Sequence, residues 1–170
     1  MTADRSRSRD DRSKTPAAAV AKGSSDDVSS DDASGEEVIV TLPADVKCLG
    51  TVRRVVEAAA QSAGLPADHV YEVVLAVHEA CANVIQHAYA GRPGGTFTVA
   101  CHRQPGGLEV RVRDQGKPFD IQAAAELPPD ELREGGRGVF LIRRLMDEVD
   151  SRRGADGANE LRLFRRTHSK

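Results

Sequence analysis

The chain has 170 residues, of which 39% are hydrophobic, and a formal net charge of -2. This length suits one domain with a tail, and the near-neutral charge gives no overall attraction to nucleic acid or to an anionic membrane. No apolar run approaches the roughly 20 residues of a membrane span, and no apolar segment follows the charged N-terminus as it does in a secretory signal. The three cysteines are odd in number and far apart. We therefore predict reduced thiols in a cytoplasmic protein.

Residues 1–35 differ in composition from the rest of the chain. They contain eight Ser, seven Asp and six Lys or Arg, and no aromatic residue. Such a segment buries too little apolar surface to offset the entropy lost when a chain becomes ordered. We predict a disordered polar tail over 1–35 and one folded domain over 36–170.

The folded part predicts a regular succession of strands and helices. Alternating apolar residues and turn-forming clusters indicate strands, and apolar residues at helical spacing indicate helices. The predicted strands are 37–42, 96–103, 108–114, 148–152 and 160–165, and the predicted helices are 44–63, 67–89 and 139–146. Short turns join most strands, so the sheet is mostly antiparallel and the helices cover one of its faces. The fold class is α+β, a two-layer sandwich.

Three polar side chains in the second helix are spaced to lie on one side of it. Glu79, Asn83 and His87 follow one another at intervals of four residues. A carboxylate can accept a proton from a hydroxyl or a water, and an Asn carbonyl oxygen is a suitable ligand for Mg²⁺. Taken alone, the pattern favours an ordinary polar helix face, since such faces are the norm. A zinc-protease motif is excluded, because Ala82 stands where the second His would be needed.

A second motif directly follows the strand that ends at Asp114. A carboxylate at a strand end can accept a hydrogen bond from an exocyclic amine such as that of adenine. Gly116 allows the backbone to approach a flat ring closely, and Pro118 and Phe119 offer an apolar wall. The alternative is a plain turn built from turn-forming residues.

A third motif is rich in glycine and leads into the last helix. Gly135, Gly136 and Gly138 expose backbone N–H groups at a helix N-terminus, which is a favourable place for phosphate. Arg137 can add a contact to phosphate oxygens. The motif lacks the Lys and Ser or Thr of a P-loop. A flexible loop before a core helix is the alternative.

The order and placement of the three motifs resemble the GHKL (Bergerat-fold) ATP-binding superfamily. Within it, the chain is similar to the bacterial anti-sigma-factor serine kinases. The similarity lies in residues 79–89, 114–120 and 136–142, and it extends over about residues 36–166.

The resemblance implies a role for each candidate residue. Asn83 would bind the Mg²⁺ that bridges the phosphates of ATP, and Glu79 would be the general base for the attacking serine. Asp114 and Gly116 would hold adenine, with Phe119 beside them. The glycine-rich segment, Gly135, Gly136, Arg137 and Gly138, would form a lid over the phosphates, and His87 would support the site.

The resemblance also implies partners. Members of this family bind a sigma factor and phosphorylate a STAS-type antagonist on serine, and a homodimer is expected. An alternative function is an ATP-binding regulator that sequesters its partner without phosphorylating it. A third is a pure interaction domain with a vestigial site. Nucleotide binding and serine phosphorylation of a partner distinguish the three.

Overall fold

The computed structural model describes residues 19–20, 36–89, 94–118 and 136–168. Only the two-residue strand β1 belongs to the predicted tail, and the rest of 1–35 lies outside the described residues. The strands are β1 (Ala19–Val20), β2 (Glu37–Pro43), β3 (Thr96–Gln104), β4 (Gly107–Asp114), β5 (Glu148–Arg153) and β6 (Asn159–Arg166). The helices are α1 (Leu49–Ser62), α2 (Ala67–Asn83) and α3 (Gly136–Leu145).

The strands form one sheet in the order β1-β2-β3-β4-β6-β5, with every neighbouring pair antiparallel. The β3–β4 and β5–β6 pairs are hairpins, as the turn clusters predict. The β4–β6 pair is long-range and joins residues that α3 and β5 separate in the chain. The predicted α+β class and the antiparallel sheet are confirmed.

The helices pack on one face of the sheet around a core made mainly of small aliphatic side chains. On α2, Val73 and Val77 are fully buried, and they belong to the same hydrophobic core as the strand residues Val99 and Val110. Burying one such side chain stabilises the fold by about 1.5–3 kcal/mol relative to exposure. The valine stripe predicted from the sequence is therefore the core face of α2.

The helix ends follow from local sequence. At the end of α1, Gly64 has a positive φ of 79°. The N–H of Gly64 donates to the Gln61 carbonyl, and that of Leu65 donates to the Ala60 carbonyl. These two hydrogen bonds satisfy carbonyl groups that would otherwise be left without a partner at the end of the helix. The chain then turns sharply into α2.

The end of the second helix differs from the prediction of a continuous helix to residue 89. After Asn83 the chain makes a π-helical turn over Val84–Ala88. The N–H of Tyr89 reaches back to the Val84 carbonyl at 3.3 Å, five residues earlier. The wider turn changes the direction of the side chains that follow Asn83, as π-helical turns near functional sites often do.

An ion-pair network centred on one buried carboxylate lies on the sheet face opposite the helices. Glu109 is 1% exposed and accepts hydrogen bonds from Arg111 and Arg162, and Arg162 also pairs with Glu148. Burial alone raises the pKa of the Glu109 carboxyl, but the two arginines outweigh it, and its pKa lies below the ordinary value. This carboxylate therefore adds stability at neutral pH, and that stability is lost as the pH falls through the lowered pKa.

No helix within the described ranges is long and apolar enough to cross a membrane.

The cysteines are expected to differ strongly in reactivity. Cys81 and Cys101 are buried in the core, and burial raises the pKa of Cys101 to about 12 and that of Cys81 further still. Cys48 is only partly buried. Because the thiolate is the reactive form, a thiol reagent should add one label to the native protein and three after denaturation, as counted by mass spectrometry. The Cys48→Ser variant should take up no label when native. Rapid native labelling of all three thiols would contradict this packing.

Candidate functional site

A cavity of about 400 Å³ opens between the end of α2 and the sheet. Its walls come from α2 and the π-helical turn, from the end of β4 with the loop behind it, and from the β5–β6 hairpin. The lining residues are Ala80, Asn83, Val84, Ala88, Val112, Asp114, Lys117, Pro118, Ser151, Arg152, Arg153, Asn159, Glu160 and Leu161. The structure therefore brings the first and second sequence motifs to one cavity.

Asp114 is held firmly at the end of β4. Its side chain is buried, and its Oδ1 accepts hydrogen bonds from the Gly116 N–H at 2.7 Å and from Asn159 Nδ2 at 3.0 Å. Asn159 is the residue directly opposite Asp114 in the β4–β6 pairing. Both bonds use Oδ1, which leaves Oδ2 as the acceptor available to a ligand in the cavity.

Gly116 makes the close backbone approach that its lack of a side chain permits. A Cβ at this position would lie 2.5 Å from the Cβ of Ala88 and 2.6 Å from its carbonyl oxygen. The next residue, Lys117, donates its N–H to the same carbonyl at 3.1 Å. The contact that requires glycine here is thus with the end of the π-helical turn.

Glu79 and Asn83 lie together against the first turn of α3. A Cβ on Gly138 would be 2.9 Å from Glu79 Oε2 and 3.5 Å from Asn83 Nδ2. The first turn of α3 therefore comes close to these side chains, and an added side chain at position 138 would displace the flexible end of Glu79. The glycine-rich motif and the helix motif meet here, and Asn83 connects them to the cavity.

The donor set near Asn83 is compatible with Mg²⁺. Within the described residues, the side chains of Glu79 and Asn83 have no hydrogen-bond partner, so their oxygens can accept a ligand. The described part of the chain holds no cluster of three or more His, Cys, Asp or Glu for a protein-only metal cage. Mg²⁺ commonly takes one or two protein oxygens and completes its shell with water and phosphate, and this arrangement fits that habit.

The other predicted site residues lie less centrally or cannot be placed. His87 is exposed and does not line the cavity. Gly136 and Arg137 begin α3, and the Arg137 side chain is exposed. Phe119 and Gly135 lie outside the described residues.

The β5–β6 hairpin contributes a wall of the cavity that sequence reasoning did not find. Asn159 is its most consequential residue, since its Nδ2 also lies 3.2 Å from the Gly116 carbonyl oxygen. The order of the strands in the sheet is the feature from which the role of Asn159 could have been found. Antiparallel pairing places the start of β6 beside the end of β4, and hence Asn159 beside Asp114.

The arrangement can bind an extended polar ligand at two points. A buried carboxylate acceptor in a half-open cavity suits a flat ring bearing an amine. Some distance along α2, an amide, a carboxylate and a helix N-terminus suit an anionic group with a divalent cation.

Comparisons with known proteins show the family to which the chain belongs. Residues 42–165 match the family described as histidine kinase-like ATPase domain. The serine-protein kinase RsbW of Halalkalibacterium halodurans is 38% identical over 123 residues, covering 68% of this chain and 75% of that protein. The serine-protein kinase RsbW of Bacillus subtilis is 33% identical over 124 residues, covering 68% and 78%.

A solved structure shows the same fold. The RsbU and RsbW domains of a Mycobacterium tuberculosis protein match with a TM-score of 0.54 and 21% identity. The match covers 77% of this chain and 32% of that longer one.

The contact at Gly116 can be tested against a glycine in open space. Gly116→Ala should destabilise the protein by about 1–3 kcal/mol, because overpacking against backbone is not relieved by a rotamer change. Gly50→Ala is the control, since nothing lies within 4 Å of a Cβ there and alanine is the better helix former by about 1 kcal/mol. Denaturant unfolding measures both. Equal stability of the two variants would show that the end of the π-helical turn and the loop after β4 are not in contact.

Proposed function

Because the chain belongs to the histidine kinase-like ATPase domain family, we propose that it binds ATP in the cavity and transfers the γ-phosphoryl group to a serine of a partner protein. The relatives at 38% and 33% identity are serine-protein kinases, and this chain is a serine kinase of the same kind. One observation supports the placement of the site above all others. Asn83 and Asp114, from two separate motifs, line a single cavity, and Gly138 of the third motif packs on Asn83.

Asp114 is suited to recognise the adenine ring. Its Oδ1 is already occupied by Gly116 and Asn159, so Oδ2 can accept a hydrogen bond from the 6-amino group. Pro118 and Val112 supply apolar surface beside it. A purine with a carbonyl at position 6 would place an acceptor against this carboxylate, which disfavours guanine.

Asn83 is the residue best placed to hold Mg²⁺ through its Oδ1. The ion, when bound, neutralises charge on the phosphates and favours in-line transfer. Gly136 to Gly138 lie in the first turn of α3, where free backbone N–H groups and the helix dipole attract phosphate oxygens. Arg137 is exposed at the same turn and can reach a phosphate from the solvent side.

Glu79 is the candidate general base. It lies next to Asn83 against α3 and has no partner among the described side chains. In this role it accepts the proton of the serine hydroxyl as the oxygen attacks the γ-phosphorus. Phosphoryl transfer requires mainly positioning and charge neutralisation. One carboxylate is therefore enough to supply the acid–base catalysis.

The partners proposed here rest on the family resemblance. A sigma factor is the protein that the chain would bind and inhibit, and a STAS-domain antagonist is the protein that it would phosphorylate. Both partners and a homodimeric state are consistent with a cytoplasmic regulator of transcription. The alternative is a regulator that binds ATP and sequesters its partner without transfer, and the presence of both Glu79 and Asn83 favours the kinase.

The metal and base roles can be separated by two variants. Titration calorimetry should show ATP binding to the wild type that depends on Mg²⁺. Asn83→Ala should lose the Mg²⁺-dependent part of that binding. Glu79→Ala should retain binding but lose serine phosphorylation of a STAS-domain partner by at least about 100-fold, the usual size of a general-base contribution. Phosphorylation by Glu79→Ala at the wild-type rate would refute the base assignment, and absence of ATP binding to the wild type would refute the proposed function.

The adenine contact predicts a change in nucleotide preference. Asp114→Asn replaces an acceptor by an amide that can also donate, and a mismatched buried polar group costs about 1–3 kcal/mol. ATP affinity should fall by about tenfold or more, whereas GTP affinity should fall little or rise. Competition binding with both nucleotides gives the ratio. An unchanged preference of the Asp114→Asn variant for ATP over GTP would show that Asp114 does not recognise the adenine ring.

A further inference from the structure

Tyr89 stands where the π-helical turn ends, and its hydroxyl joins two other segments. The Tyr89 O–H donates to the Thr96 carbonyl at the start of β3, at 2.8 Å. The same oxygen accepts a hydrogen bond from the Gln115 N–H, just behind Asp114, at 2.9 Å. One hydroxyl therefore uses both its donor and an acceptor position on backbone groups.

The ring of Tyr89 is held as tightly as its hydroxyl. A Cβ on Gly95 would lie 2.4 Å from a ring carbon, so the backbone of Gly95 lies directly against the ring. The Gly95 carbonyl in turn accepts from the Ala44 N–H at 2.8 Å, beyond the end of β2. The hydroxyl is thus presented from a fixed position.

Residues 88–89 largely determine the backbone conformation of the loop that follows Asp114 in the chain. Its three consecutive N–H groups each have a separate acceptor. Gln115 donates to the Tyr89 hydroxyl, Gly116 to Asp114 Oδ1, and Lys117 to the Ala88 carbonyl. Two of the three acceptors belong to the end of the helical segment that carries Asn83.

We propose that Tyr89 is a positioning residue. It sets the adenine-binding half of the site, at Asp114, relative to the metal-binding half, at Asn83. Its hydroxyl fixes Gln115, and the Gly116 N–H that follows fixes the Asp114 carboxylate. The orientation of that carboxylate then depends on the same helical segment that presents Asn83. This inference rests on the proposed binding of ATP in the cavity.

The two tyrosines of the chain provide a matched test. Tyr89→Phe keeps the ring against Gly95 and removes both hydrogen bonds, whereas Tyr71→Phe removes a hydroxyl from a side chain that is 65% exposed on α2. In Tyr89→Phe, ATP affinity measured by calorimetry with Mg²⁺ should fall by about tenfold, as expected for two hydrogen bonds. The ratio of ATP to GTP affinity should fall as well. Tyr71→Phe should match the wild type in both.

The outcomes separate positioning from general support of the fold. Equal losses of ATP and GTP affinity in Tyr89→Phe, or none, would overturn the proposal while leaving ATP binding by the wild type intact. Failure of the wild type to bind ATP would instead overturn the proposed function.

A second measurement does not depend on nucleotide affinity. Hydrogen exchange of the Gln115 backbone N–H should be slow in the wild type and in Tyr71→Phe. In Tyr89→Phe it should be at least about tenfold faster, at the same thermal stability. The phenol of Tyr89 also gives a direct signal, because the chain has no Trp and Tyr71→Phe leaves Tyr89 as its single tyrosine. Its fluorescence should change when Mg²⁺ and ATP are added. An unaltered Gln115 exchange rate in Tyr89→Phe would refute the hydroxyl contact.

Discussion

The close contact between the end of the π-helical turn and the loop behind β4 determines the geometry of the whole site. Ala88 and Gly116 meet with no room for an added carbon, and the Ala88 carbonyl accepts the Lys117 N–H. Together with the hydrogen bond from the Gln115 N–H to the Tyr89 hydroxyl, this contact joins the helical segment that carries Asn83 to the strand that carries Asp114. With it, the two polar groups are held as parts of one rigid unit, as a binding site requires.

Strand pairing in the antiparallel sheet also holds the Asp114 carboxylate in place. Pairing of β4 with β6 sets Asn159 directly opposite Asp114, on the same face of the sheet. Cross-strand neighbours at this separation are in reach of one another's side chains. Because a slip of one residue would turn Asn159 to the opposite face, the register that buries the core also orients the carboxylate. Folding and binding geometry therefore depend on the same hydrogen-bonded ladder.

Much of this architecture could be predicted from the sequence, because its patterns are local and strong. The valine stripe of α2, the β3–β4 hairpin and the polar pair Glu79 and Asn83 all follow from residue spacing. The π-helical turn could not be predicted, since no residue type specifies it and its hydrogen bond depends on the packing of Tyr89.

The contribution of the last hairpin was missed for a different reason. Asn159 reads locally as the start of a strand, and its function depends on a partner 45 residues earlier in the chain. His87 lies in the π-helical turn and is exposed, so its spacing from Asn83 did not show whether it would line the cavity. Interactions set by tertiary structure override the local pattern at both positions.

The position of Asn159 in the chain has a consequence for biosynthesis. Asp114 is translated well before β6, so its carboxylate lacks its side-chain donor while the ribosome is still making the last strands. The wall formed by the β5–β6 hairpin is also missing at that stage. Protein chains emerge N-terminus first at about 5–20 residues per second. The Asp114 end of the cavity is therefore completed only seconds after Asp114 is translated, when Asn159, 45 residues later, has been made and β6 pairs with β4. Until β6 has paired with β4, the nascent chain lacks both this donor and the hairpin wall of the cavity.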